Sequence, residues 1–178
     1  ICTDNYSAFQ IFEKNKLKPR AYFIPFQDRK SSETVSLCDE RYKSNLVKVL
    51  NGKWDFKYYP KFSDMPKRFD TSIVDFDEVN VPSMWQYTGY EKPYYINQNY
   101  PFGRKPPKIP TDDPVGLYKT IRNGKWTPLT VDNIYNSVGV YRKKIEISDI
   151  EKIFIISFLG CSSCLELYVN GSFHGYSE

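Results

Sequence analysis

The residues that most directly suggest chemistry are two cysteines and a histidine near the carboxyl end. Cys161 and Cys164 have the Cys-x-x-Cys spacing of zinc and redox sites, and His174 is the only histidine of the chain. A zinc site needs further ligands, and His174 stands alone in the sequence. We therefore expect Cys161 and Cys164 to be buried free thiols that act as small hydrophobic side chains, without a disulfide or a metal, and we assign His174 no catalytic role.

Pairs of acidic residues are the next candidates, because general acid–base catalysis often uses two carboxylates. Asp112 and Asp113 are adjacent, and Asp75 and Asp77 are two residues apart. Neighbouring acidic residues in loops are usually solvated, and no pair stands in a context that implies a shifted pKa. The sequence therefore predicts no catalytic residue in this chain.

The elements that would position any site are predicted to be strands. Trp54, Phe56 and Tyr58 alternate with polar residues, which is the period of a half-buried strand, and residues 74–81 form another short apolar set. Residues 140–147, 153–159 and 165–169 indicate three further strands. Asn170-Gly171 predicts a tight turn after the last of them, and Asn123-Gly124 predicts a small hairpin. Helical periodicity is almost absent, so we predict an all-β antiparallel sandwich with Trp54, Phe56, Leu165, Leu167 and Val169 in its core.

Two segments lack the period of any regular element. Residues 18–26 contain two prolines and are predicted to form an extended strap over a sheet. Residues 82–116 carry closely spaced prolines and many tyrosines, which predicts a long ordered loop.

Overall composition sets wider limits. The 178 residues suit one domain, and 40% hydrophobic and 26% charged residues are typical of a globular protein. The net charge of +4 comes from intermixed basic and acidic residues, which argues against nucleic acid as a partner. No apolar stretch is long enough to span a membrane, and residues 1–20 lack the apolar core of a signal peptide.

Several motifs, in a shared order and spacing, resemble the N-terminal sugar-binding domain of glycoside hydrolase family 2 β-galactosidases. Two examples are Val81-Pro82-Ser83-Met84-Trp85-Gln86 and Val169-Asn170-Gly171. The family usually has asparagine where Met84 stands, and residues 117–137 look like an insertion. The matching stretches are residues 19–26, 50–56, 81–86, 89–90, 93–97, 99–102, 106–110, 139–143, 169–171 and 175–177.

The resemblance implies that residues 1–178 form a jelly-roll β-sandwich. In the family this domain precedes an immunoglobulin-like domain and a TIM barrel that carries the two catalytic glutamates of a retaining mechanism. The fragment alone is therefore expected to be inactive. The asparagine of the family's matching segment contacts the galactosyl unit, which implies that Asn97 binds substrate; an amide offers both donors and an acceptor to sugar hydroxyls.

The same resemblance implies the partners: a β-galactoside, the remaining domains of the same polypeptide, and further copies in a homo-oligomer. It implies no cofactor in this domain, whereas intact family members resemble Mg²⁺- and Na⁺-dependent enzymes. We expect a bacterial cytoplasmic location, with a periplasmic or secreted one left open.

Two alternatives remain at this stage. A free-standing carbohydrate-binding module would also suit the fold and the aromatic content, but the strap and the long loop favour a domain shaped to meet a barrel. Another family 2 specificity, such as β-glucuronidase, is the second alternative, but residues 95–101 favour galactosidase. The aromatic residues of the loop have two interpretations as well: they stack on sugar, or they pin the loop. We favour pinning for most of them, because one sugar has room for only one or two rings. They are Trp85, Tyr90, Tyr94, Tyr95 and Tyr100.

Overall fold

The structure is a computed structural model that describes residues 11–36, 38–91, 118–122, 125–129 and 137–178. Every strand pair in these residues is antiparallel, and the only helices are one short α-helix and one 3₁₀ turn. The predicted all-β antiparallel class is therefore confirmed, whereas the jelly-roll connectivity stays a prediction. The elements are β1 Glu13–Lys14, α1 Arg29–Glu33, β2 Gly52–Tyr59, the 3₁₀ turn Phe62–Asp64, β3 Asp77–Val81, β4 Tyr118–Arg122, β5 Lys125–Leu129, β6 Val138–Arg142, β7 Leu165–Val169 and β8 Ser172–Ser177.

The first sheet has β2 at its centre, between β3 and β6. Its alternating sequence forms a strand as predicted, and the register places Phe56 opposite Asp77 on one side and Tyr141 on the other. Phe56 is the largest fully buried side chain of the described residues, with 0% of its surface exposed. Trp54 is only half-buried, and its indole Nε1–H donates to the carbonyl oxygen of Leu50 at 2.7 Å. The core of this sheet is therefore centred on Phe56.

The second sheet has the order β1-β8-β7. A two-residue turn joins β7 to β8, with Asn170 at φ 49° and Gly171 at φ 81°. Asparagine and glycine tolerate positive φ better than other residues, so the predicted turn is confirmed together with its physical reason. Tyr176 of β8 is buried, and its hydroxyl donates to Glu178 Oε1 at 2.5 Å.

A third, two-stranded sheet consists of β4 and β5, which pair from Tyr118 with Leu129 to Arg122 with Lys125. Only residues 123 and 124 separate the two strands, so the hairpin predicted at Asn123-Gly124 is confirmed.

Residues 18–26 contain no helix, in agreement with the prediction, but most of their side chains are exposed. Their described contacts are with the following segment. The buried Ser44 donates its hydroxyl to the carbonyl oxygen of Pro25 at 2.5 Å, and the Tyr22 hydroxyl donates to that of Tyr42 at 3.1 Å. The strap is therefore attached to residues 42–44.

Three expectations about the last third of the chain are wrong. Residues 153–159 do not form a strand, and 94% of Ile153 is exposed. The strand predicted at 140–147 ends at Arg142. A strand needs a hydrogen-bonding neighbour as well as a suitable sequence, and the described residues provide none beyond these points.

The third error concerns the core face of β7. Leu165 and Leu167 are half-buried, but Val169 is 44% exposed. The register shift opposite Leu167 and Tyr168 places its extra residue, His174, in β8, so the faces of β7 still alternate. Val169 is instead the last residue of β7, next to the turn at Asn170-Gly171, where the sheet ends.

Candidate functional site

An aromatic cluster covers Phe56 at the centre of the first sheet. Tyr141 from β6 and Tyr90 have their ring centroids 4.6 and 4.9 Å from that of Phe56. The Trp85 ring lies nearly parallel to Phe56, with 6.3 Å between centroids and 25° between planes. Tyr58 adds edge contacts, with its ring 5.8 Å from both Trp85 and Tyr90. The cluster therefore anchors the segment that follows β3 to the sheet.

These contacts bear on whether the aromatic residues of the loop stack on sugar or pin the loop to the protein. Trp85 and Tyr90 pack on the protein's own core, which agrees with the pinning interpretation for these two rings. Tyr94, Tyr95 and Tyr100 lie outside the described residues. Met84, next to Trp85 in the chain, has an exposed side chain.

Gly139 is required where β6 passes under Trp85. A Cβ atom at Gly139 would lie 2.6 Å from Trp85 Cζ3 and 2.8 Å from Phe56 Cε2. Optimal contacts between carbon atoms are about 3.5 to 4.0 Å, so any larger residue would displace the indole. The glycine therefore allows the close approach of β6 and the tryptophan.

The Glu91 carboxylate accepts hydrogen bonds from three residues of this region. Its Oε2 accepts hydrogen bonds from Trp85 Nε1–H at 2.7 Å and from Gln86 Nε2 at 3.0 Å. The hydroxyl of Ser137 lies 3.4 Å from Oε1 and 3.5 Å from Oε2. Glu91 and Ser137 are half-buried and flank residues 92–136, so this carboxylate links the two ends of that segment.

The two tyrosines beside Phe56 are uncharged at neutral pH. Burial raises the pKa of Tyr141, and burial together with a hydrogen bond to Asp77 raises the pKa of Tyr90. Neither phenol is therefore suited to act as a base near neutrality, and both serve as packing groups or hydrogen-bond donors.

An ion pair connects β2 to β6 beside the cluster. Arg142 Nε donates to Asp55 Oδ2 at 2.7 Å, and Arg142 Nη1 donates to the carbonyl oxygen of Thr71 at 2.6 Å. The guanidinium carbon also lies 4.1 Å from the centroid of the Phe76 ring. Three different interactions therefore hold Arg142 in place.

The cysteines differ in part from the expectation. Cys161 and Cys164 are free thiols, but they are exposed, so the prediction of buried side chains is wrong. Partial burial nevertheless raises the pKa of both thiols, which keeps them protonated at neutral pH. Within the described part of the chain, no three His, Cys, Asp or Glu side chains are grouped as metal ligands.

His174 is exposed and takes no part in the cluster. Its Nδ1 lies 2.9 Å from the carbonyl oxygen of Ser172. A carbonyl can only accept a hydrogen bond, so Nδ1 carries the proton in this contact.

Comparison with known proteins gives two findings on this region. Residues 47–127 match the family model described as "Glycosyl hydrolases family 2, sugar binding domain". A protein named β-galactosidase from Actinobacillus pleuropneumoniae is 32% identical over 92% of the chain. The chain therefore belongs to the sugar-binding domains of glycosyl hydrolase family 2.

Two further relatives carry the same name. The β-galactosidase of Leuconostoc mesenteroides is 34% identical over 82% of the chain, and that of Priestia megaterium is 31% identical over 95%. The family 2 domain spans only 14% of the Actinobacillus protein, 13% of the Leuconostoc protein and 15% of the Priestia protein.

Asn97, the one substrate-binding residue predicted from the sequence, lies outside the described residues of the family 2 domain, so its role stays a prediction. Sequence reasoning missed Glu91. No local signal marks this residue, because its donors come from positions five and six residues earlier and from Ser137. No helix in the described ranges is long and apolar enough to cross a lipid bilayer.

Proposed function

We propose that the chain is the N-terminal domain of a retaining β-galactosidase that hydrolyses terminal β-D-galactosides. The observation that carries the proposal is the match of 92% of the chain to a relative named β-galactosidase. In this proposal the domain supplies substrate contacts and structural support, and the catalytic carboxylates belong to a barrel domain elsewhere in the polypeptide. The isolated chain should therefore release no product from a chromogenic β-galactoside.

The geometry of the aromatic cluster supports the proposal that this domain holds the start of the segment after Glu91 in a fixed position. Trp85 and Tyr90 are held on Phe56, and Glu91 is held by Trp85 and Gln86. The segment that begins at residue 92 therefore starts from a rigid point. A binding residue presented from such a point loses less conformational entropy when it engages its ligand.

Within this function, Asn97 is the residue we assign to the galactosyl unit. Its amide can donate to one hydroxyl and accept from another. If these hydrogen bonds strengthen as the ring flattens toward the oxocarbenium-like transition state, Asn97 stabilises that state more than the bound substrate. Asn97 therefore affects turnover more than affinity.

The test is Asn97→Ala in the full-length enzyme that contains this domain. Loss of one neutral hydrogen-bonding group should reduce kcat/KM by about one to two orders of magnitude, equivalent to about 1 to 3 kcal/mol, with most of the loss in kcat. Asn51→Ala is a matched control, because Asn51 is an exposed asparagine before β2. An unchanged kcat/KM in Asn97→Ala, or an equal loss in both variants, would remove Asn97 from the proposed site.

A further inference from the structure

A run of apolar residues between β6 and β7, residues 153–159, is exposed in the structure. Ile153 is 94% exposed, and Phe154 and Ile155 are each 58% exposed. Soluble monomers rarely expose large contiguous apolar patches, and the larger ones mark interaction sites. Residues 153–159, the apolar segment, therefore have the character of an interface that the described residues leave open.

The apolar segment is exposed on two sides. Successive side chains of an extended backbone point to opposite sides, so Ile153 and Ile155 lie opposite to Phe154 and Ile156. Each of these four residues is at least 43% exposed. Ser157 is the only polar residue of the seven. A partner must therefore cover the segment on both sides, and a flat surface laid against one side would leave the other side in water.

The backbone of the apolar segment also needs partners. Residues 153–158 contain no turn or bend and belong to no described strand or helix. Buried N–H and C=O groups must be hydrogen-bonded, because an unpaired polar group in an apolar environment costs free energy. The matching partner is therefore a cleft with apolar walls that also offers hydrogen-bond donors and acceptors to an extended backbone.

The two ends of the apolar segment limit how much of it is covered. On the amino-terminal side, Asp149 and Lys152 form an exposed ion pair with 3.1 Å between Lys152 Nζ and Asp149 Oδ2. Charged side chains are seldom fully buried, so the cover begins after Lys152. On the other side, a Cβ atom added at Gly160 would meet no atom within 4 Å, so there is room for a partner up to this residue.

The lengths of the relatives favour one source for this cover. The chain spans 14% of the Actinobacillus β-galactosidase and 15% of the Priestia β-galactosidase. A second copy that meets the apolar segment edge to edge would supply hydrogen bonds but would leave both sides of the segment uncovered. Another domain of the same polypeptide can supply a cleft, and its covalent link gives it an effective concentration that a separate molecule lacks.

We propose that the apolar segment inserts into an apolar cleft formed by the part of the same polypeptide outside residues 1–178; this inference rests on the proposed function. The cleft covers both sides of residues 153–159 and pairs with their backbone. The apolar segment is then an interface between domains, and the sugar-binding domain is held in place through it.

The first experiment measures the reactivity of single engineered cysteines in the full-length protein, with Cys161→Ser and Cys164→Ser in the background. Ile153→Cys is the test, and Ile73→Cys is the matched control, because Ile73 is 82% exposed and lies outside the apolar segment. Each rate of modification by a maleimide is divided by the rate of the same variant in concentrated urea, which removes differences in intrinsic reactivity.

Position 153 should react at least about tenfold more slowly in the native protein than in urea, because a covered thiol reacts only after local opening. Position 73 should react at nearly the same rate in both conditions. Protection of position 153 by less than about tenfold would overturn the inference. If Ile153→Cys does not fold, Ile155→Cys takes its place.

A second experiment identifies the partner. Phe154 is replaced in the full-length protein by the photoreactive amino acid p-benzoylphenylalanine, which keeps an aromatic ring, and the cross-links formed on illumination are mapped by mass spectrometry. We expect cross-links to residues outside 1–178 within one polypeptide. Cross-links to residues within 1–178, or covalent dimers of two polypeptides, would overturn the proposed source of the cleft.

Neither measurement depends on turnover, so the outcomes separate this inference from the proposed function. If the full-length protein hydrolyses a chromogenic β-galactoside but position 153 is unprotected, the inference fails and the proposed function stands. If position 153 is protected and cross-links outside residues 1–178 form, but no β-galactoside is hydrolysed, the proposed function fails and the interface stands.

Discussion

Gly139→Ala tests whether the close approach of β6 to Trp85 holds the aromatic cluster together. The added Cβ would meet Trp85 Cζ3 at 2.6 Å and Phe56 Cε2 at 2.8 Å, distances that real Cβ atoms essentially never show. The contact atoms belong to two packed rings rather than to the end of a flexible side chain. The indole must therefore move by about 0.9 Å to restore normal contact.

The cost of this movement follows from two effects. Overpacking in a well-packed core costs about 1 to 3 kcal/mol. A displacement of about 0.9 Å would also stretch the 2.7 Å hydrogen bond from Trp85 to Glu91 beyond a useful length, and such bonds to charged groups contribute about 1.5 to 3 kcal/mol. The two losses share one movement and do not add fully, so we expect the free energy of unfolding to fall by about 2 to 4 kcal/mol.

The assay is equilibrium urea unfolding of Gly139→Ala, monitored by tryptophan fluorescence, with Gly160→Ala as the matched control. A Cβ at Gly160 would meet no atom within 4 Å, so the same substitution there should change stability by no more than about 1 kcal/mol. The slope of the free energy of unfolding against urea concentration should be equal in both variants. Equal midpoints for the two variants would refute the argument that Trp85 requires glycine at position 139.

Two further predictions concern charge. Burial and the hydrogen bond to Glu178 raise the pKa of Tyr176 well above its ordinary value of 10.0, so above pH 10 the unfolded chain loses a proton that the folded chain keeps. The free energy of unfolding should fall there by up to about 1.4 kcal/mol per pH unit, and an unchanged slope in Tyr176→Phe would contradict this cause. Asp55→Ala should lower the free energy of unfolding by about 1 kcal/mol, because it removes the ion pair with Arg142. Glu78→Ala should lower it by less than about 0.5 kcal/mol, because the ion pair of Glu78 is exposed. Glu78 also lies opposite Asp55 in the sheet, so its removal relieves the repulsion between two like charges. If urea unfolding shows equal decreases in the free energy of unfolding for the two variants, the Asp55–Arg142 ion pair contributes no more to stability than the exposed pair of Glu78.

Local patterns predicted much of the fold because their causes are local. The alternation around Phe56 places one face of β2 against the core, whichever strands lie beside it. The turn at Asn170-Gly171 follows from the tolerance of these two residues for positive φ. The all-β class could be read from such features without knowledge of the pairing.

The errors lie where neighbours decide the outcome. Residues 153–159 have the composition of a strand, but a strand forms only beside a partner that supplies hydrogen bonds, and none is present among the described residues. Val169 is exposed at the last position of β7, and the pairing with β8, which composition does not encode, decides where that strand ends. The exposure of Cys161 and Cys164 likewise depends on what packs beside them, which the Cys-x-x-Cys spacing does not specify.

The sequence by itself determined the all-β class, the two hairpins and the resemblance that points to Asn97, because each depends on residue type and spacing along the chain. Tertiary structure alone decided that Glu91 joins Trp85 and Gln86 to Ser137, and that Gly139 lies against the indole. These contacts connect residues of separate segments that the pairing of β2, β3 and β6 brings together. Their existence depends on distances between strands, and no single stretch of sequence specifies such a distance.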